Sequence, residues 1–384
     1  MARGNPGRLH LGFDEDAARG FHRAAEIREM RYVLLGLLLL VLAFAGWLAF
    51  APTPIDPIAW TPAANPGLTG PFLPNEKLKG ATLARVTPGK GPEDIAQGPD
   101  GLIYTGLEDG SIVRLKADGS TPPEKIASTG GRPFGLKFAD DGSLIVADGR
   151  RGLLSIGVDG TVRVLAVKAG GVPIAFADDL DIAADGTIYF SDASRRGPDN
   201  FGLDAWEGKG TGRLLAYDPA SGETKVLLDD LRFANGVALA PDESFVLVNE
   251  TFAYRVTRYW LSGPKAGTHD IFLDALPAFP DNISSDGTGV FWIAMVSPRN
   301  DTLDGLAERP LLRKMVFNFF GLFGMPETSG AYGWVIAADA KGQVIANLQD
   351  PSGRLHDITS VKRFGDTLVL GSLAMDAIAT LPAP

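Results

Sequence analysis

Four short stretches of the chain carry carboxylate or amide side chains just ahead of a turn and a run of strand-forming residues. They are "GPEDIA" with Glu93 and Asp94, "FADDLDIA" with Asp178 and Asp179, "FANGVAL" with Asn235, and "FPDNISS" with Asp281 and Asn282. All of them offer oxygen. Oxygen ligands with no thiolate or imidazole among them suit a hard cation, and calcium accepts an irregular oxygen cage more readily than magnesium does. The chain has no cysteine and four histidines, so disulfides and thiolate metal sites are excluded. A formal net charge of -10 opposes a nucleic-acid partner, which requires a basic face, and suits a cation. Taken singly, each acid or asparagine is an ordinary turn-former. Together, each one step ahead of a hairpin, they point to one shared site.

Residues this far apart in sequence meet only if the fold is cyclic. Turn signals followed by apolar or alternating runs recur as "GPDGLIYTG", "ADDGSLIVAD", "AADGTIYFSD", "APDESFVLVNE", "SSDGTGVFWIAM" and, more weakly, "RFGDTLVLGSL". Asp-Gly supplies the positive φ of tight hairpins, and Val, Ile, Tyr and Phe favour the strand that follows. The 47 glycines and 27 prolines fit many turns between short strands. Each unit continues into a second strand pair, which makes an all-β chain with a six-bladed β-propeller as its architecture. A β-sandwich array is the minor alternative. The last unit runs out of chain before a fourth strand, and "EKLKGATLARV" at 76–86 has no partner of its own. That segment is expected to close the ring. At the start of innermost strands, the oxygen ligands would converge on the propeller axis.

Two segments break the pattern. Residues 33–50 are 18 positions without a charge, preceded by Arg3, Arg8, Arg19, Arg23, Arg28 and Arg31, and no Lys or Arg follows until Lys77. This reads as a transmembrane anchor (33–51) with a cytoplasmic N-terminal segment (1–32), a linker (52–75), and the propeller (76–384) in the periplasm, lumen or extracellular space. A cleaved signal peptide starting at Met30 is the alternative. Between the fifth and sixth units, 301–328 holds an amphipathic helix with Leu311, Leu312, Met315, Val316, Phe319, Phe320 and Phe323 on one face. It either packs on the propeller top or, over 309–325, acts as a lid resting in the membrane interface.

"GRPFGLKF", "DDLDIAADGTIYFSD", "FANGVALAPDESFVLVNET", "FPDNIS" and "QDPSGRLHDITSV" resemble the strictosidine synthase-like branch of the calcium-dependent six-bladed propellers. That branch is related to paraoxonases and to the gluconolactonase and regucalcin group. The resemblance covers about residues 75–384. It implies an axial calcium surrounded by Glu93, Asp178, Asn235, Asp281 and Asn282, and hydrolysis of lactones or of aryl and carboxylic esters. Calcium would polarise the carbonyl, with Asp178 or Asp281 as general base or nucleophile. Asp178 departs from the asparagine common in paraoxonases, and Phe134 stands where they place a histidine. No Gly-x-Ser-x-Gly elbow is present, which opposes a serine hydrolase.

Pleating sends neighbouring side chains to opposite sides of a strand, so Glu93 and Asp94, like Asp178 and Asp179, need not share one ion. By resemblance, Asp94 and Asp179 would hold a second, structural calcium, aided by a backbone carbonyl near Leu136. A hydrogen-bonded brace between blades is the equal alternative. Among the histidines, His10 and His22 precede the anchor, His269 falls in an outer hairpin, and His356 lies near the last inner strand. That strand reads Ile358, Thr359, Ser360, Val361 without the carboxylate that strictosidine synthesis from an amine and an aldehyde requires. A non-enzymatic, membrane-tethered calcium-binding scaffold is the remaining alternative. The top loop "SRRGPDNFGLDAWEGKGTG" is expected to wall the pocket.

Overall fold

Hairpin-forming turns and β-branched or aromatic runs alternate along the chain, and the strands follow them. A computed structural model describes residues 15–324 and 331–384. Arg3, Arg8 and His10, and the end of the expected 301–328 insertion, lie outside the described residues. Six four-stranded antiparallel sheets succeed one another as blades 1 to 5, at 95–128, 133–166, 177–231, 234–273 and 278–350, and blade 6 at 358–382. The innermost strands of the six blades pack side by side in a ring, the last against the first. The protein is a six-bladed β-propeller.

Closure is made as the strand count requires. Thr82–Arg85 pairs antiparallel with Ala377–Pro382, in the register Thr82 to Thr380 and Arg85 to Ala377. The first strand of the chain thus completes the last blade and leaves no open gap in the ring. Ala84 and Ile378, paired in this register, are both fully buried.

Between blades, apolar faces interlock. Blades 4 and 5 share a cluster that includes Phe245, Leu247, Val256, Phe291, Ile293 and Trp334. Where inner strands come closest, only glycine fits. A Cβ on Gly135 would lie 2.7 Å from both the Asp178 carbonyl oxygen and the Asp179 Cα, and one on Gly236 would lie 2.3 Å from the Ile283 nitrogen. These are the glycines of "PFGL" and "FANG", and their need is space rather than an unusual φ.

The helix Glu15–Phe50 is long and apolar enough to cross a membrane, and its apolar span stands exposed. Its last turns meet the inserted helix Pro310–Phe323, whose Asn318 Nδ2 donates to the Leu48 carbonyl at 2.8 Å. On the other side of that helix, Phe317 and Phe320 pack edge-on against Trp206 of the short helix Gly202–Glu207. Residues 52–75, expected as a linker, run as a docked strap. Ile58 N donates to the Glu207 carbonyl, Trp60 N to the Ala307 carbonyl, and Asn75 is tied to Asn347 and Gln349 of blade 5.

Candidate functional site

On five of the six innermost strands the residues at the channel mouth lie in a β-bulge. The ladder register shifts between Pro133 and Leu136, Ala177 and Leu180, Ala234 and Val237, Pro280 and Ile283, and Ile358 and Ser360. Each bulge re-aims the residues inside it. In blade 1, Glu93 and Asp94 lie just ahead of the strand Ile95–Gln97. Simple pleating would turn one member of each acid pair away from the axis. The bulged Asp178 and Asp179 instead both face the channel, at two depths.

The upper depth is a cavity of about 510 Å³ lined by Glu93, Asp178, Asn235 and Asp281, with Arg132 and Thr359 among its other polar residues. Asn282 adjoins it and donates from Nδ2 to Glu93 Oε1 at 3.1 Å. All five expected axial ligands are therefore brought together, and all five are buried. Glu93 Oε2, Asn235 Oδ1 and Asn282 Oδ1 are buried acceptors with no protein partner. Buried acceptors normally find a donor or a cation, and here two such atoms line the cavity and the third adjoins it. Among the described residues no three His, Cys, Asp or Glu side chains make a metal cage on their own. The convergent set depends on its two amides. A larger groove of about 730 Å³ runs among hairpin turns at Asp141, Asp185 and Gly186, and none of its lining atoms is a buried orphan.

Burial dominates the electrostatics of the site. Burial first, and then the charge of Asp281, hold both Glu93 and Asp178 well above the ordinary carboxylate range, with Arg132 opposing. Burial also pushes Asp281 up to about 8, against hydrogen bonds from Asn235 and the Asn282 backbone. Arg132 is the charged neighbour that the sequence reading missed. Its guanidinium donates to the Gly91 carbonyl at 3.1 Å and stacks on Phe134, 5.0 Å from the ring centroid. Phe134, Phe176, Phe201 and Phe233 form an aromatic wall, with the Phe176 ring at its centre.

The lower depth gathers the second acids. Asp94 Oδ2 accepts from Leu136 N at 2.8 Å and from Lys362 Nζ at 2.6 Å, and Asp179 Oδ2 accepts from Val237 N at 2.8 Å. Each carboxylate thus bonds the backbone of the next blade, which is the brace. Burial and then the Asp94 charge raise Asp179, and Lys362 opposes this.

A repeated support also escaped the sequence reading. Acids ending the second strand of blades 2, 3 and 4 accept from the backbone leading into the first strand. Asp148 bonds Arg132 N, Asp192 bonds Phe176 N and Glu250 bonds Arg232 N. The signal lay in the repeats themselves, as "VAD", "FSD" and "VNE". Among the described residues the histidines stay clear of the cavity. His22 is exposed on the long helix, His269 opens the outer strand His269–Leu273, and His356 Nδ1 lies 2.9 Å from Asp357 Oδ2. None of 301–323 lines the cavity either; the inserted helix lies between the second and third strands of blade 5.

A strictosidine synthase family model matches residues 178–264, and a strictosidine synthase-like N-terminal model matches 70–115. The chain is 36% identical to the protein strictosidine synthase-like 7 of Arabidopsis thaliana over 338 residues, covering 86% of this chain and 89% of that one. The chain belongs to the strictosidine synthase-like family. The human adipocyte plasma membrane-associated protein is 34% identical over 381 residues, 93% of this chain and 90% of its own. With the exposed apolar helix, that relative's name supports membrane anchoring of this family member. Among solved structures, a gluconolactonase from Xanthomonas campestris superposes with a TM-score of 0.58 at 18% identity, over 86% of this chain and 99% of its own. The calcium-binding protein regucalcin from Agrobacterium tumefaciens gives 0.51 at 14%, over 76% and 92%. Both likenesses bear on the fold alone.

Proposed function

We propose that this propeller is a membrane-anchored, calcium-dependent hydrolase of lactones or of aryl and carboxylic esters. The observation that carries the reading is the trio of buried, unpartnered oxygens on Glu93 and Asn235, which line one cavity with Asp178 and Asp281, and on Asn282, which is hydrogen-bonded to Glu93. Their chemistry, hard oxygens with two amides, fits calcium, and one structural neighbour is named as calcium-binding. Gluconolactonase, another neighbour's name, supports lactones as one substrate class to test. When bound, calcium supplies a Lewis acid for the substrate carbonyl.

The chain's own groups do the rest. Asp178 or Asp281 takes the proton of an attacking water, or attacks the carbonyl directly. The Arg132 guanidinium adds a fixed positive charge on the wall where an oxyanion develops. The four phenylalanines hold the apolar part of the substrate and keep water from it. Thr359 is what the last inner strand presents to the cavity, so the carboxylate needed for amine–aldehyde condensation is absent there.

The arginines that precede the anchor support a cytoplasmic N-terminus with the propeller outside the cytoplasm. Exposed Leu311, Phe319, Leu322 and Phe323 lie on a helix already bonded to the anchor's last turn, and they rest in the membrane interface. The deciding experiment is turnover of a lactone and aryl ester panel by the purified chain, with and without chelator. Turnover that a chelator abolishes without unfolding is expected. Bound calcium with no turnover on any substrate would leave the scaffold reading standing.

A further inference from the structure

The lower acids invite a second cation, yet the position is taken. Lys362, on the sixth blade's inner strand Ile358–Phe364, reaches across the channel. Its Nζ donates to Asp94 Oδ2 at 2.6 Å and to the Leu136 carbonyl at 3.1 Å. The Asp179 charge, next to Asp94 on the lower level, acts on the same ammonium. A carboxylate, a second carboxylate and the Leu136 carbonyl are the ligand set expected for a structural calcium. Calcium binds oxygen at about 2.3–2.6 Å and takes six to eight ligands. An ion at that distance from Asp94 Oδ2 and the Leu136 oxygen would overlap the ammonium. The other oxygens are committed as well. Asp179 Oδ1 and Oδ2 accept from Leu180 N and Val237 N, both at 2.8 Å. Only Asp94 Oδ1 lacks a partner, far too few for a calcium shell.

We propose that Lys362 is a tethered cation that replaces the second, structural calcium, so that this propeller locks blades 1, 2 and 6 together at the lower level without a metal. Burial disfavours the ammonium while Asp94 and Asp179 favour it, and the balance keeps it charged above the ordinary lysine range. One device therefore neutralises the brace acids and joins the last blade to the first two. The inference stands whether or not the upper position binds calcium, because it concerns a difference in ion count between variants.

The test is the number of calcium ions bound per full-length chain in detergent, by equilibrium dialysis and elemental analysis. Asp94→Asn is expected to leave the wild-type count unchanged. Lys362→Met is expected to gain one calcium, which Asp94→Asn in the same background removes, and Lys362→Arg is expected to keep the wild-type count. Loss of a calcium from the wild type on Asp94→Asn would overturn the proposal. So would a folded Lys362→Met chain whose count and melting temperature in EDTA both match the wild type. If Lys362→Met folds only with metal, its melting temperature is followed across a calcium series in the Glu93→Gln background. A rise with calcium that Glu93→Gln alone lacks supports the proposal, and equal response in both chains refutes it.

Discussion

The two depths of the channel start from the same acid doublets and treat their charge in opposite ways. Above, Glu93, Asp178 and Asp281 are buried among amides, with Arg132 nearby but bonded to a backbone carbonyl. Below, Asp94 and Asp179 spend their oxygens on the next blade's backbone and face an ammonium. A buried carboxylate needs a countercharge. Where the fold supplies one the acid becomes a brace, and where it leaves oxygens unpartnered we propose a binding site.

The largest effect should come from the upper level. Glu93→Gln and Asp281→Asn are each expected to weaken calcium binding at least about 100-fold, read by titration calorimetry, since first ligands matter no less than the partners that orient them. Unchanged affinity in both would erase the distinction between the levels. Next, Lys362→Met should lower the unfolding free energy in EDTA by about 3–5 kcal/mol, measured by denaturant melts, because two buried acids lose their cation. A loss under about 1 kcal/mol would mean that the lower acids need no partner, contrary to the usual cost of a stranded buried charge. Phe201→Ala trims the aromatic wall at the mouth without touching either acid level. It should raise KM for aryl esters about 3- to 10-fold with kcat nearly unchanged, the size expected for lost apolar contact.

The smallest effect belongs to an acid outside the channel. Asp270 accepts from Arg258 at 2.8 and 3.1 Å and from Trp260 at 3.2 Å, and these hydrogen bonds, Arg258's first, hold it down at about 2. A lowered carboxylate pKa stabilises the fold above the ordinary value of 3.8 and loses that contribution as pH falls through about 2. The pair is partly solvated, so Asp270→Asn should cost under about 1 kcal/mol at pH 7, and that cost should shrink toward zero as pH falls through about 2, by thermal melts. A larger loss would make solvent-facing pairs as costly to break as the channel's.

Local chemistry explains what could be read in advance. The six hairpin units and the unmatched "ATLAR" segment were legible because tight turns and strand formers write their structure within a few residues. So was the convergence of the oxygen-bearing residues, which stand one step before the hairpins. The bulges were not, since a shifted register depends on which strand lies opposite. Lys362 in "SVKRF" and Arg132 in "GRPF" carried only a faint signal, a lone cation on a channel strand. Their partners, Asp94 and Gly91, are 268 and 41 residues away. The strap at 52–75 likewise looked like spacer, because its bonds go to blade 5 and the top loops.

By itself the amino-acid sequence determined the propeller, its closure by an early strand, the apolar helix and the set of oxygen donors, all consequences of short-range turn and strand preferences. Only the tertiary structure decided how those donors divide. Pairing between strands created the bulges that turn adjacent acids into two levels, and the ring of blades brought Lys362 to one level and left the other open. Distance along the chain carries no information about distance across the channel, and charge balance is settled there.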